Sequence, residues 1–525
     1  MVSQILGRTV LGYPPKTPVL VWGSGRVTQA TPITNAKNDM KNHLPYSLFP
    51  DEETYSARRE FLQTFGLGFG ALAFSSMLAQ DSQGASSTHR SVRDMSARLS
   101  HFAPKAKSVI FLFQNGGASQ MDLFDPKPEL TRRNGQKTSE VRGGNANGLS
   151  SEPLMGSAFQ FRPYGQAGIE FSELVPHLAS VVDDLCVVRS MYSNDPNHPG
   201  ATYMMCTGNN RPGRPSLGAW CAYALGSESQ NLPGYVCLRD PGVFHSGGAM
   251  QITNGWLPAQ FRGTELRTEG EPVLNLHSAA PRLDGVQQNN LAFLEKLNRL
   301  QQQRYPTESV LDARIQNYEL AARMQLHASP ELDLSNETQA TEKLYGMDRE
   351  ETATYGRRLL LARRLVERGV RYVMVLSPGP HNVWDHHAKL NIALPAICRR
   401  TDQPSAGLIT DLKQRGLLDE TLVVWTGEFG RLPTSQGGSG RDHSPHGFTL
   451  LMAGGGLKPG FVYGATDEIG YKAVENPVSV PDLFATLLHQ LGLDHERMTF
   501  DVHGIEENVT DTKVNHARVV SELLA

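Results

Sequence analysis

Residues 423–448, VVWTGEFGRLPTSQGGSGRDHSPHGF, place Glu428 just beyond an apolar run and then, across a glycine-rich gap, Asp442, His443 and His446. A second cluster, HNVWDHH, supplies His381, Asp385, His386 and His387 after the apolar run RYVMVL. Carboxylate oxygens mixed with imidazole nitrogens suit zinc, manganese or iron, whereas an all-oxygen shell suits magnesium or calcium. Either cluster alone matches an ordinary surface loop as well as a ligand set. Two of them, each at the end of an apolar run, favour one shared metal centre, with some members holding the ligands in place rather than binding.

The elements that must position these groups are four short apolar runs: SVIFLFQNGG (108–117), LCVVRSMYSNDPNHPG (185–200), RYVMVLSPGPHNVWDHH (371–387) and TLVVWTGEFGR (421–431). Runs of this length without alternation predict strands buried on both faces. Helical patterns accompany them in FSELVPHLASVVDD, YGRRLLLARRLVERG, LPAICRRTDQPSAGLITDLKQRG and SVPDLFATLLHQLGL. Strands alternating with helices predict an α/β fold with a mostly parallel sheet, whose ligands sit outside the carboxyl ends of the strands. The polar clusters fall at those ends. From about 286 to 345 the apolar residues recur every three or four positions, which predicts a helical insertion or cap. The arginine-rich face of GRRLLLARRLVERGVR reads as solvated and paired with acids.

Composition narrows the function classes. Fifty Lys+Arg against 53 Asp+Glu leave a formal net charge of -3, which gives no footprint for nucleic acid. The five cysteines, Cys186, Cys206, Cys221, Cys237 and Cys398, form no C-x-x-C pair, so a zinc ribbon or thioredoxin motif is excluded. At most two disulfides would leave one thiol over. Near the N-terminus, SARREFLQTFGLGFGALAFSSMLA (56–79) joins Arg58 and Arg59 to a Gly/Ala-rich apolar run. This has the form of a twin-arginine (Tat) export signal, with a membrane anchor as the milder rival. Residues 1–39 then read as a non-structural extension upstream of Met40, residues 40–100 as signal region and polar linker, and residues 101–525 as the folded domain.

The order of these motifs resembles the alkaline phosphatase and sulfatase superfamily. More closely, NGGASQMDLFDPKPEL, WDHH, TGEFGRLP and GRDHSPHGFTLLMAGGGLKPGFVYGATDE, behind a Tat signal, resemble an exported branch of it described as a domain of unknown function. The likeness spans roughly residues 105–500. It implies a three-layer α/β sandwich with a mostly parallel central sheet and a helical insertion. It also implies a divalent metal, zinc, manganese or calcium, as one or two ions beside a Ser, Thr or modified Cys nucleophile that attacks a phosphoryl or sulfuryl group.

Transferred residue by residue, the resemblance puts Gln114 and Asn115 where the first strand would deliver an aspartate. Counting back from Gly208 puts His198 in the nucleophile's position, as a phosphoryl acceptor, a metal ligand or a sign that the usual nucleophile has gone, with Asn197 beside it to orient an oxyanion; Cys206 falls inside the following helix. Asp385 and His387, with His386 as the alternative, match an aspartate and a downstream histidine. Glu428 takes an aspartate's place and Phe429 a histidine's. His443 fits the late histidine, ahead of His446. Arg431 is a candidate clamp for an anionic group, or the partner of Glu428 or Asp442 in an ion pair. The expected catalytic set is therefore His198, Asn197 and Arg431, and the expected metal set Asp385, His387, Glu428, Asp442, His443 and Asn115. The expected function is an exported, metal-dependent hydrolase of phosphate or sulfate esters. Its alternative is an inactive protein that binds a metal or an anionic glycan on the same fold. The expected partners are an anionic small-molecule or glycan ester and the Tat machinery, with membrane contact only through the signal segment and a location in the periplasm or cell envelope.

Overall fold

The computed structural model describes residues 95–142, 151–240, 246–268, 286–304, 315–321, 323–324, 332–379 and 381–525. Residues 1–39 and the twin-arginine stretch 56–79 lie outside the described residues. All the described residues belong to one compact unit, His89–Ala525.

Among them, one nine-stranded sheet dominates: β1 (Ser108–Phe113), β2 (Leu185–Tyr192), β3 (Tyr235–Leu238), β4 (Thr264–Leu266), β5 (Tyr372–Leu376), β6 (Thr421–Thr426), β7 (Phe448–Ala453), β8 (Phe461–Tyr463) and β9 (Val478–Ser479). The order across it is β8-β2-β7-β6-β1-β5-β3-β4, with β9 also beside β2. Every pairing is parallel except those of β7, which runs antiparallel to both β2 and β6. The sheet is thus mixed and mostly parallel, as the apolar runs predict.

Continuous apolar runs form these strands because both faces are covered. In β1 every residue is buried; Ile110 and Leu112 enter one apolar core while Val109, Phe111 and Phe113 enter the other. The helices are α1 (His198–Thr207), α2 (Leu217–Leu225), α3 (Val286–Arg304), α4 (Glu350–Glu367), α5 (Leu390–Gln414) and α6 (Val480–Gln490), with shorter helices between. Helices α4 and α5 pack on the first face, and α1, α2 and α6 on the second, giving three layers. Helix α6 starts at a capping box, in which the Ser479 hydroxyl accepts from the Asp482 N–H while the Asp482 carboxylate accepts from the Ser479 N–H.

Some expectations need correction. FSELVPHLASVVDD is not one helix: Ile169–Ser172 is a hairpin strand, Pro176–Ser180 a short helix and Val182–Asp184 a single 3-10 turn. Pro176 biases the residue before it toward extended backbone, so the helix begins at the proline and not upstream. The arginine face of α4 is only partly solvated. Arg358 and Arg363 are buried, Arg358 against Asp240 and Arg363 against Glu337 at 2.6 Å and Asp411 at 3.0 Å. The folded chain also starts before residue 101, since Ser227 N–H donates to the Met95 carbonyl and Arg98 N–H to that of Leu225. All five cysteines are buried free thiols. Among the described residues no helix is long and apolar enough to cross a membrane.

Candidate metal centre

The parallel strands β1, β2, β5 and β6 bring their carboxyl ends to one edge of the sheet. Beyond β5 the chain enters the loop that carries Asp385 and His387. Beyond β2 it turns into α1, whose first residue is His198. Beyond β6 come Glu428 and a short antiparallel ladder, Gly430–Arg431 against His443–Ser444, which sets His443 opposite Arg431.

His198, Asp385, His387 and His443 each offer one ligand atom, and these atoms all lie within 4.8 Å of one another. Asp385 is the hub. Its Oδ1 lies 2.9 Å from His387 Nε2 and 3.1 Å from His443 Nε2, and its Oδ2 lies 3.1 Å from His198 Nε2. The Nε2 atoms of His387 and His443 are 3.0 Å apart. Each ring is held from behind through Nδ1: His198 by Glu428 Oε1 at 2.6 Å, His443 by the Pro196 carbonyl at 2.8 Å, and His387 by Gln436 Oε1. A backbone carbonyl only accepts, so His443 keeps its proton on Nδ1 and turns a lone pair inward from Nε2.

The donor set fits a cation. His198 Nε2 is buried and faces the Asp385 carboxylate at 3.1 Å beside two further imidazole nitrogens. A ring oriented through one nitrogen with the other left open is how histidine holds a metal. Burial works against charge on His198, but hydrogen bonds to Asp385 and Glu428 and the charge of both outweigh it and raise its pKa to about 9. Burial likewise opposes ionisation of Asp385, yet hydrogen bonds from His198 and His387 and the charge of Arg431 hold it well below the usual carboxylate range. The Asp385 hydrogen bond raises His387, against its partial burial. Burial lowers His443, helped by the charges of Arg431 and His198. The four groups thus carry unequal proton affinities around one point.

The other residues expected at the site lie around this cluster. Glu428, wholly buried, stands behind His198 and accepts the Gly116 N–H on both oxygens at 3.0 Å. Asp442 accepts the His443 N–H at 2.9 Å and lies 3.8 Å from His387 Nδ1. Asn115, wholly buried at the end of β1, has neither amide atom hydrogen-bonded. Asn197 is exposed as the residue before α1 and makes no side-chain cap.

Arg431 is no open clamp. It is buried and donates to the carbonyls of Gly116, Gly117 (2.9 Å), Arg441 (3.0 Å) and Trp384 (3.4 Å) and to Asp385 Oδ1 (2.6 Å). The ion-pair alternative holds, but with Asp385 rather than Glu428 or Asp442. His386 is buried outside the cluster, with its pKa lowered to about 4 by burial and by Arg431. His446 is exposed and meets the Tyr471 ring edge-on at 5.3 Å. Burial raises the Cys206 thiol inside α1.

Two contributors carry no signal in the sequence. Gln436 sits in the glycine-rich gap and looks like any loop residue; Pro196 contributes only a carbonyl. Phe429 walls the cluster, its ring centroid 5.0 Å from that of His198 and 4.5 Å from that of His443.

Residues 106–524 match the family model described as "Protein of unknown function (DUF1501)". No curated protein matches the chain. Solved structures similar to it include the PsFucS1 sulfatase from Pseudoalteromonas sp., at 13% identity over 74% of this chain and 68% of that one, TM-score 0.31. The lipoteichoic acid synthase LtaP from Listeria monocytogenes is similar at 10% identity over 76% of each chain, TM-score 0.35. The alkaline phosphatase from the Antarctic bacterium TAB5 is similar at 10% identity over 74% of this chain and 99% of that one, TM-score 0.30. Similarity of this degree carries no residue and no activity across.

Proposed function

We propose a reading that proceeds from family and cluster together: the chain belongs to the family "Protein of unknown function (DUF1501)", and its role is that of an exported, metal-dependent hydrolase of phosphate or sulfate esters. The observation that carries the metal part is the convergence of His198, Asp385, His387 and His443, with each imidazole fixed from behind. These four residues would hold the ion. Three nitrogens and one carboxylate suit zinc or manganese better than calcium, which takes oxygen ligands. Such an ion supplies Lewis-acid polarisation of an ester oxygen.

The chain's own residues have separable tasks. His198 has one ring nitrogen on Glu428 and the other turned to the cluster, which assigns it to ligation rather than nucleophilic attack. Arg431 holds Asp385 and four carbonyls in place instead of gripping substrate. Asn115 brings an unpartnered amide to the same sheet edge and suits the oxygen of an anionic ester. Phe429 keeps the rings of His198 and His443 against an apolar wall.

The test is the metal content of residues 95–525 expressed with metal in excess, beside His443→Ala and Asp385→Ala, followed by a screen of phosphate and sulfate esters. Near-stoichiometric zinc or manganese in the wild type, lost in both variants, with turnover of one ester class, is the expected result. A metal-free wild type would end this reading.

A second reading, binding of an anionic glycan without turnover, is favoured by one feature. The partners that hold the four groups are carboxylate, amide and backbone oxygens and the imidazoles themselves, a frame for a cation with His198 standing where a nucleophile is expected. Metal-loaded protein that retains sulfated oligosaccharide yet turns over no ester would select it.

Export is proposed from Arg58, Arg59 and the run to Ala79. Changing Arg58 and Arg59 together to lysine should hold a reporter fused behind residue 100 inside the cell, whereas unchanged export would refute the twin-arginine route.

A further inference from the structure

We propose that Glu428 is a positioning residue of the metal centre, fixing the tautomer and aim of His198, and not one of the ion's ligands. This rests on the metal-binding reading above and goes beyond it.

Both carboxylate oxygens of Glu428 are already directed elsewhere. Oε1 lies 2.6 Å from His198 Nδ1, and the Gly116 N–H is shared between Oε1 and Oε2 at 3.0 Å each. The side chain is wholly enclosed, so a rotation toward the cluster would strand the Gly116 N–H and the imidazole N–H without acceptors. A carboxylate that receives Nδ1–H pins the ring and strengthens the donor power of Nε2. His198 Nε2 is the atom this aims at the other convergent groups, 3.1 Å from Asp385 Oδ2.

Glu428 also ties His198 to a turn that touches the hub. Gly116 has φ +116°, and a Cβ there would lie 2.6 Å from the Asp385 backbone N and 2.8 Å from that of Trp384. One carboxylate therefore links the exits of β1 and β6 to the first residue of α1 and lies one turn away from the loop of Asp385. Through these contacts it holds the spacing between His198 and Asp385 before any ion arrives.

The experiment is a double-mutant cycle on zinc affinity, measured by chelator competition on full-length protein, with Glu428→Gln, His198→Ala and the double variant. Glutamine keeps an oxygen that accepts from Nδ1. We expect one ion per chain in wild type and in Glu428→Gln, with affinity lowered about ten- to a hundredfold, and no further loss when Glu428→Gln is added to His198→Ala. An equal loss in both backgrounds would show that Glu428 meets the ion on its own and would overturn the proposal.

Cobalt(II) absorption gives a second readout: unchanged ligand-field bands in Glu428→Gln support a positioning role, and shifted bands refute it. This spectrum decides the matter where His198→Ala binds no ion. Should Glu428→Gln not fold, Glu428→Asp takes its place in both measurements. A wild type that takes up no metal overturns this proposal together with the metal reading, an outcome distinct from equal losses around the cycle.

Discussion

At the scale of single residues, the centre depends on groups that never face it. Arg431 is the clearest case, a guanidinium buried with its N–H groups donated to four carbonyls and to Asp385. A lysine there brings fewer donors in the wrong directions, so Arg431→Lys should lower stability by roughly 3–5 kcal/mol, the range for breaking a buried pair. Chemical denaturation of metal-free protein measures this. A stability loss under about 1 kcal/mol with a raised KM for an anionic ester would restore the substrate-clamp role. Gly440 acts through space alone: a Cβ there would lie 2.0 Å from the His387 carbonyl carbon and 2.1 Å from its oxygen. Gly440→Ala must therefore displace the backbone at His387. The expected outcome is zinc affinity reduced about as much as in His387→Ala, read by the same chelator competition; wild-type affinity would mean that the loop gives way without moving the ring.

At the scale of elements, the junction of α5 with the helix Pro176–Ser180 carries a prediction in pH. Asp402, buried within α5, accepts the N–H groups of His177 and Leu178, each at 2.8 Å, at the start of that short helix. Burial raises its pKa to about 7 despite the two hydrogen bonds, which act to lower it. A carboxyl that holds its proton more tightly folded than unfolded makes the protein most stable below its ordinary pKa. Stability then falls as pH rises toward 7 and levels off above it. Asp402→Asn should flatten that part of the stability curve; an unchanged slope between pH 4 and 7 would assign it to another group.

The same elements show what the sequence made legible. Strands β1, β2, β5 and β6 stand out as apolar runs because two cores bury them on both faces. The reversal of β7 does not, because it depends on how far the chain travels between Glu428 and Phe448 before it rejoins the sheet. Burial of Arg363 is equally silent, since Glu337 and Asp411 lie far from it in sequence. In the site, Asp385, His387 and His443 are legible as candidates by type and spacing, whereas His198 comes only from the resemblance, which puts it in the nucleophile's place. Their separation from Glu428, Asp442 and Arg431 is not legible, because it turns on which of two ring nitrogens faces which neighbour.

At the scale of the molecule, the four groups join distant parts of one unit: the start of α1, the loop after β5 and the ladder after β6. No one of these segments forms the cluster alone, so the unfolded chain offers a cation only scattered histidines and acids. Preferential binding to the folded state follows, and with it a stabilisation set by mass action. At a free zinc concentration a hundredfold above Kd the folded protein should gain about 2.7 kcal/mol. In a unit of this size the thermal midpoint moves by less than about 2–4 °C for each kcal/mol, the figure for smaller domains, so chemical denaturation is the sharper readout. Removing the ion with a chelator should shift the denaturation midpoint down, and restoring zinc should return it. His443→Ala should start near the metal-free midpoint and respond to neither treatment. If wild type and His443→Ala shift alike, the ion responsible sits elsewhere. If neither shifts, the charge of Asp385 is balanced by Arg431 and protonated His198 alone, and the cluster is a buried ion-pair network rather than a metal centre.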